Sequence, residues 1–158
     1  MNVLGVCPSF LSEGTYSLTS PYLSVVVPVY NEVEALPSFL NELRETLQDP
    51  AVFPSYEVIL VDDGSSDGTV TIMGEWAAKW PEMRFFRHGR NLAQTFAMSV
   101  GFEESRGQVV VPLDADGQND PADIIALVTA LEQGGLDCVS GWRRHRSGDN
   151  GLRVPSRE

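Results

Sequence analysis

From residue 22 onward, continuous apolar, β-branched runs alternate with stretches whose apolar residues recur at helical spacing. The pattern predicts strands over 22–29, 56–61, 83–87, 108–113 and 136–140, separated by helices over 33–47, 68–79, 92–104 and 121–133. Strands that are apolar at successive positions are buried on both faces, and repeated β-α units build a parallel sheet. The expected fold class is therefore α/β: a Rossmann-like, mostly parallel sheet with helices on both faces, in a single domain. Residues 1–20 mix Gly, Ser, Thr and isolated apolar residues without a period and read as a flexible leader, which leaves 21–158 for the organised domain. After Trp142 the pattern dissolves into Arg, Gly, Ser and Asp, and the domain is expected to be truncated at the C-terminus.

Helix starts carry their own signals. Asn31 with Glu34 and Asn91 with Gln94 fit a capping-box spacing, and Asp120-Pro121 offers an N-cap followed by proline at the first helical position. Pro37 suits a first turn and argues for a start later than residue 33.

The strand ends carry the chemistry. The run Val109-Val110-Val111-Pro112-Leu113 stops at Asp114-Ala115-Asp116, and Val58-Ile59-Leu60-Val61 stops at Asp62-Asp63. A third strand runs into Pro28-Val29-Tyr30-Asn31-Glu32. Right-handed crossovers bring all three loops to the same sheet edge, where open α/β sheets bind ligands. Carboxylates gathered there without a basic neighbour call for a counter-charge, and a hard divalent cation shared with substrate phosphates supplies one. Asp114, Asp116 and Gln118 fall at alternate positions and offer oxygens to one octahedral Mg²⁺ or Mn²⁺. Adjacent acids at Asp62-Asp63 suit the N–H of a base or a ribose hydroxyl. Ser65 to Gly68 admits two readings, ordinary turn and capping chemistry or part of the ligand site.

Composition narrows the partners. The chain has 158 residues and a formal net charge of −11, so no basic footprint for nucleic acid exists. Five of its 11 Lys and Arg nevertheless fall at Arg143, Arg144, Arg146, Arg153 and Arg157. That cluster is either a solvated end or a surface for phosphate groups and an anionic membrane. Cys7 and Cys138 lie far apart and suit a reducing compartment. The first basic residue is Arg44, unlike a signal peptide, and no run approaches the roughly 18 apolar residues of a membrane span. His88 and His145 read as surface residues, and Trp76 and Trp80 as packing.

Several ordered stretches together resemble the family 2 glycosyltransferases of GT-A fold, and among them the polyprenyl-phosphate group typified by dolichol-phosphate mannosyltransferase. They are Val25 to Glu32, Val61-Asp62-Asp63-Gly64-Ser65-Ser66-Asp67-Gly68-Thr69, Arg90-Asn91, Leu113 to Pro121, and Ser140-Gly141-Trp142-Arg143. The resemblance implies that Pro28, Tyr30, Glu32, Asp62, Asp63, Asn91 and Ala115 bind the nucleotide, with Asp62 on the base or ribose. It implies that Asp114 and Asp116 hold Mg²⁺ or Mn²⁺ on the donor diphosphate, assisted by Gln118. Arg143, with these two aspartates, falls in the catalytic set, and Arg157 faces a phosphate of donor or acceptor. Gly117 departs from the family pattern, which carries a bulkier apolar residue there, and implies a looser loop.

The activity so implied is inverting transfer of a hexose from a UDP- or GDP-sugar to a polyprenyl phosphate at the cytoplasmic membrane face. The chain would then sit peripheral to, or be anchored at, that surface through segments beyond residue 158. Relatives acting on hydroxyls show a Glu-Asp pair and a Gln-x-x-Arg-Trp stretch, which do not occur up to Glu158. Transfer to a saccharide hydroxyl and a nucleotide-sugar-binding fragment without turnover remain the alternatives. A Gly-x-Gly-x-x-Gly after a strand and a Gly-Lys-Ser/Thr phosphate loop are both absent.

Overall fold

The computed structural model describes residues 5–8, 20–117 and 119–141. Strands β1 (Gly5–Pro8), β2 (Leu23–Val29), β3 (Tyr56–Asp62), β4 (Met83–Arg87), β5 (Val109–Pro112) and β6 (Val139–Ser140) form one sheet in the order β4-β3-β2-β5-β1-β6. The first four of that order run parallel, with Val25 opposite both Val58 and Val111. Helices α1 (Leu36–Leu47), α2 (Thr69–Ala77), α3 (Gln94–Glu103) and α4 (Asp123–Gly134) provide the crossovers.

All seven residues of β2 are buried, as expected of a central strand covered on both faces. Its alternate residues Leu23, Val25, Val27 and Val29 enter the larger core with Leu36, Leu40, Leu43 and Leu47 of α1, Met73 of α2, and Ile124 and Leu131 of α4. The α1 residues fall at helical spacing and present one apolar stripe. The opposite face is covered by α3 through Ala97, which packs with Ile59 and Val61, and Gly101, which lies against Val26. Small residues one turn apart bring this helix close to the strands.

Three expectations need correction. The leader assigned to 1–20 contains β1, which pairs antiparallel with β5 through Cys7 and Val110 and with β6 through Val6 and Val139. Four residues are too few to show a period, and their pairing is decided by the open edge of β5. The last strand begins at Val139 and not at 136, because Gly135 (φ 56) ends α4 and the Leu136 N–H returns to Leu131 O. None of the expected side-chain caps forms in its helix: α1 starts at Leu36 with Pro37 in its first turn, α3 at Gln94 and α4 at Asp123, each without a side-chain cap bond. The side chains of Asn31, Asn91 and Asp120 bond instead to the N–H groups of Ser66, Ala93 and Ala122.

A Cβ at Gly101 would lie 2.2 Å from Val26 Cγ1, whereas one at Gly74 in α2 meets nothing within 4 Å. Gly101→Ala should therefore cost about 1–3 kcal/mol by overpacking, and Gly74→Ala should add up to about 1 kcal/mol from helix propensity. Urea unfolding of the two variants checks the pair; equal shifts would show that α3 does not sit this close to β2.

Candidate active site

Strand β2 is followed outward by β3 and β4, while β5 joins its other side, so the loops after β2 and β5 diverge at the carboxyl edge. This is the topological switch point of the sheet. Pro28 helps to open it. Backbone groups of alternate β2 residues face β5, as Val26 O does in accepting Leu113 N–H, whereas Val29 O accepts Asp63 N–H on the β3 side. Pro28 therefore turns its missing N–H toward β5, beyond the last register pair Val26–Pro112. Pairing stops there without leaving an orphaned donor.

A cavity of about 300 Å³ lies in that gap, lined by Pro28, Val29, Tyr30 and Glu32 at and after the end of β2, Asp63 after β3, Asn91, Ala93 and Gln94 at the start of α3, and Asp114, Ala115 and Asp116 after β5. Pro28, Tyr30, Glu32, Asp63, Asn91, Asp114, Ala115 and Asp116 of the expected set thus share one wall system. Asp62 does not line it. Fully buried, its two carboxylate oxygens accept the Ser65 N–H at 3.1 and 3.2 Å, and Arg87 Nε stands 3.3 Å from Oδ2. Gln118, Arg143 and Arg157 lie outside the described residues.

The loop after β3 is clamped to the loop after β2. Asn31 N–H donates to Ser65 Oγ, Ser66 N–H to Asn31 Oδ1, Glu32 N–H to Thr69 Oγ1 and Val33 N–H to Asp67 Oδ2, at 2.8 to 3.2 Å. Ser65, Ser66, Asp67 and Gly68 are absent from the cavity lining; Ser65, Ser66 and Asp67 hold the loop after β2, and α2 begins after Gly68 without a side-chain cap bond. Gly64 (φ +82) lets the same loop press on Arg90 and Asn91: a Cβ there would stand 2.5 Å from Arg90 C.

Two pairs of residues were missed by the sequence reading. At the end of β4, Arg87 lies in register with Asp62, and the next residue, His88, places Nδ1 2.9 Å from Asp63 Oδ1. His88 is thus a partnered residue and not a free surface one. Just before α3, Ala93 lines the cavity with φ 79 and ψ 151, a region that is nearly glycine-only, and Nε2 of Gln94, the first residue of α3, donates to Asp114 Oδ1 at 2.6 Å. The capping-box spacing had assigned Gln94 to its own helix. Matching the ends of neighbouring strands would have revealed Arg87 and His88, whereas nothing in local sequence marks Ala93.

Charge in the cavity is one-sided. Glu32, Asp63, Asp114 and Asp116 line it, and no Lys or Arg appears among the described lining residues. Burial, then Asp116 and Asp67, push the Glu32 carboxyl above its ordinary 4.5. No group of three His, Cys, Asp or Glu side chains among the described residues makes an all-protein metal cage. Two carboxylates in an open acidic cleft still fit a hard cation that takes its remaining oxygens from water and substrate phosphates. Asp114 and Asp116 are the residues that could hold it. Gly117, next in the chain, has φ +71, and a Cβ there would meet nothing within 4 Å.

The glycosyl transferase family 2 model matches residues 24–158. The chain belongs to that family. It is 36% identical over 137 residues to a dodecaprenyl-phosphate galacturonate synthase of Rhizobium johnstonii, covering 85% of this chain and 40% of that protein. It is 42% identical over 125 residues to an undecaprenyl-phosphate 4-deoxy-4-formamido-L-arabinose transferase of Aeromonas hydrophila, covering 78% and 37%. The family 2 chain therefore spans about two fifths of the length of these curated relatives. Among solved structures, the mannosyltransferase PcManGT of Pyrobaculum calidifontis in complex with GDP-Man and Mn²⁺ matches at TM-score 0.61 and 24% identity, covering 75% of this chain and 36% of that one. The S. aureus TarS 1-349 complex with UDP matches at TM-score 0.59 and 22% identity, covering 71% and 32%. Both likenesses establish the GT-A-like fold.

Two stability measurements follow from the cavity's geometry. A carboxyl raised in the fold binds its proton more tightly there than in the unfolded chain, so its contribution is present below the ordinary 4.5 and is lost as pH rises through the raised value. Glu32→Gln should accordingly be more stable than wild type at neutral pH and converge with it in acid, as read by urea unfolding across that range. Ala93→Gly, by releasing backbone strain of about 1–3 kcal/mol, should raise unfolding free energy by about 1 kcal/mol. A fall in stability would show that Ala93 is unstrained.

Proposed function

We propose that this chain forms the donor-binding part of an inverting glycosyltransferase that moves a hexose from a UDP- or GDP-sugar to a polyprenyl phosphate at the cytoplasmic membrane face. The observation that carries the reading is the switch-point cavity itself: Asp63, Glu32, Asp114 and Asp116 converge there without a cationic side chain among its described lining residues. A nucleoside diphosphate cannot enter such a cleft without counter-charge, so the reading includes Mg²⁺ or Mn²⁺. The names of the curated relatives, both transferring sugars to or synthesising sugars on polyprenyl phosphates, support the acceptor class.

In this reading Pro28 and exposed Tyr30 flank the base, and Asp63 accepts a base N–H or a ribose hydroxyl. Asp114 and Asp116 hold the cation, which when bound acts as a Lewis acid on the donor diphosphate. Gln94 and Asn91 face the same space from the start of α3. A single displacement at the anomeric carbon inverts its configuration. The acceptor is a phosphate monoester whose second pKa of about 6 leaves it largely ionised at neutral pH. It needs cations to position it rather than a carboxylate to deprotonate it, and Arg143 and Arg157 are assigned that task. Among the described residues no helix is long and apolar enough to cross a membrane.

The test is calorimetry of the full-length protein with UDP and GDP, with and without Mn²⁺. Mn²⁺ should tighten nucleotide binding by about tenfold or more, and Asp114→Asn and Asp116→Asn should each remove that gain while leaving the fold intact. Binding that ignores Mn²⁺ would overturn the role of the two aspartates. Product analysis with a short polyprenyl phosphate against a free glycan then separates the two acceptor classes, and turnover on the glycan alone would overturn the lipid assignment.

A further inference from the structure

The proposed chemistry leaves one partnered group beside the cavity without a task. The His88 side chain is 12% exposed, its Nδ1 lies 2.9 Å from Asp63 Oδ1, and its backbone N–H donates to Asp62 O at 2.8 Å. A carboxylate only accepts, so the proton of this bond sits on Nδ1. The Leu92 N–H donates to the same Oδ1 at 2.8 Å. Both bonds converge on one oxygen of Asp63, whose side chain is 4% exposed, and Oδ2 accepts no hydrogen bond among the described residues. Asp63 lines the cavity, so Oδ2 is the oxygen it has left for a ligand.

We propose that His88 is a positioning residue for donor recognition: by anchoring Asp63 Oδ1 it presents Oδ2 to the nucleoside of the donor. This rests on the nucleotide reading of the cavity and adds to it the device that orients the recognising carboxylate. The contrast with the neighbouring acid makes the division of labour clear. Asp62, opposite Arg87 in the β3–β4 register, spends both oxygens on Ser65 N–H and Arg87 and holds the loop. Asp63, one residue further, is tied through one oxygen only. The tie also spans two cavity walls, because Leu92 leads directly into Ala93 and Gln94. A carboxylate so held meets the ring N–H of uracil or guanine. Cytosine carries no such N–H, so CDP should bind more weakly than UDP.

The experiment is calorimetry of the full-length protein with Mn²⁺ and each of UDP, GDP and pyrophosphate, the last lacking base and ribose. His88→Ala should weaken binding of the preferred nucleotide about tenfold, or about 1.4 kcal/mol, while Mn²⁺-pyrophosphate affinity stays within about twofold. His88→Asn, whose amide can donate from near the Nδ1 position, should restore most of the loss; His88→Gln, whose amide lies further out, should not. In an Asp63→Asn background, His88→Ala should cost nothing further, because its effect passes through that carboxylate. Unchanged nucleotide affinity in His88→Ala would overturn the positioning role alone. So would an equal loss for pyrophosphate, which would make the ring a general support of the fold. A wild-type protein that binds Mn²⁺-pyrophosphate but neither nucleotide would overturn this role together with the nucleotide reading.

Discussion

Everything at the carboxyl edge of this sheet depends on where the β2–β5 ladder ends. Parallel strands that continued to pair would close the gap between their loops, but Val26–Pro112 is the last pair, and Pro28 then turns a ring where a donor would have faced β5. The chain leaves β2 toward β3 and β4 and returns to β5 from the far side, so the two loops part at a point where the ladder has already stopped. An open, preformed cleft follows from this without strain in the strands themselves. Among the described lining residues, Ala93 carries the backbone strain, and it belongs to the loop that leads into α3.

The acids of the domain divide into two groups with different work. Glu57 is buried near the opposite edge, where Ser24 Oγ–H, Arg106 N–H and Arg84 satisfy it, and Gly107 approaches so closely that a Cβ would stand 2.5 Å from Ser24 N. Asp62 and Asp67 likewise hold backbone N–H groups. Partial desolvation pulls the Asp67 carboxyl upward, but bonds from Thr69 and Val33 outweigh it and keep it below the usual range. Glu32, Asp63, Asp114 and Asp116 also line the cleft and bring negative charge to it, Asp63 while accepting the Leu92 N–H through Oδ1. A cleft whose described lining carries only negative side chains repels an anionic ligand unless a cation accompanies it.

Most of the layered architecture was legible in the chain because strands buried on both faces are contiguous apolar runs, and those runs end at the polar residues of the cleft. The register-dependent details were not. Asn31 and Asn91 have capping-box spacing, yet the N–H groups that their side chains reach belong to Ser66 and Ala93. Gly5–Pro8 became a strand because the edge of β5 accepts one, a circumstance more than 100 residues away in sequence. Local propensity is a weak prior wherever a distant backbone offers a better partner.

The acidic loops, their common edge and the family to which they belong were written in the linear order of residues, since apolar period and strand-end chemistry are local properties. Which of two adjacent aspartates guards the loop and which faces the cleft was a matter of folding. Arg87 and His88 come alongside Asp62 and Asp63 only when β4 aligns with β3, and that alignment is set by packing across the sheet rather than by any neighbour along the chain.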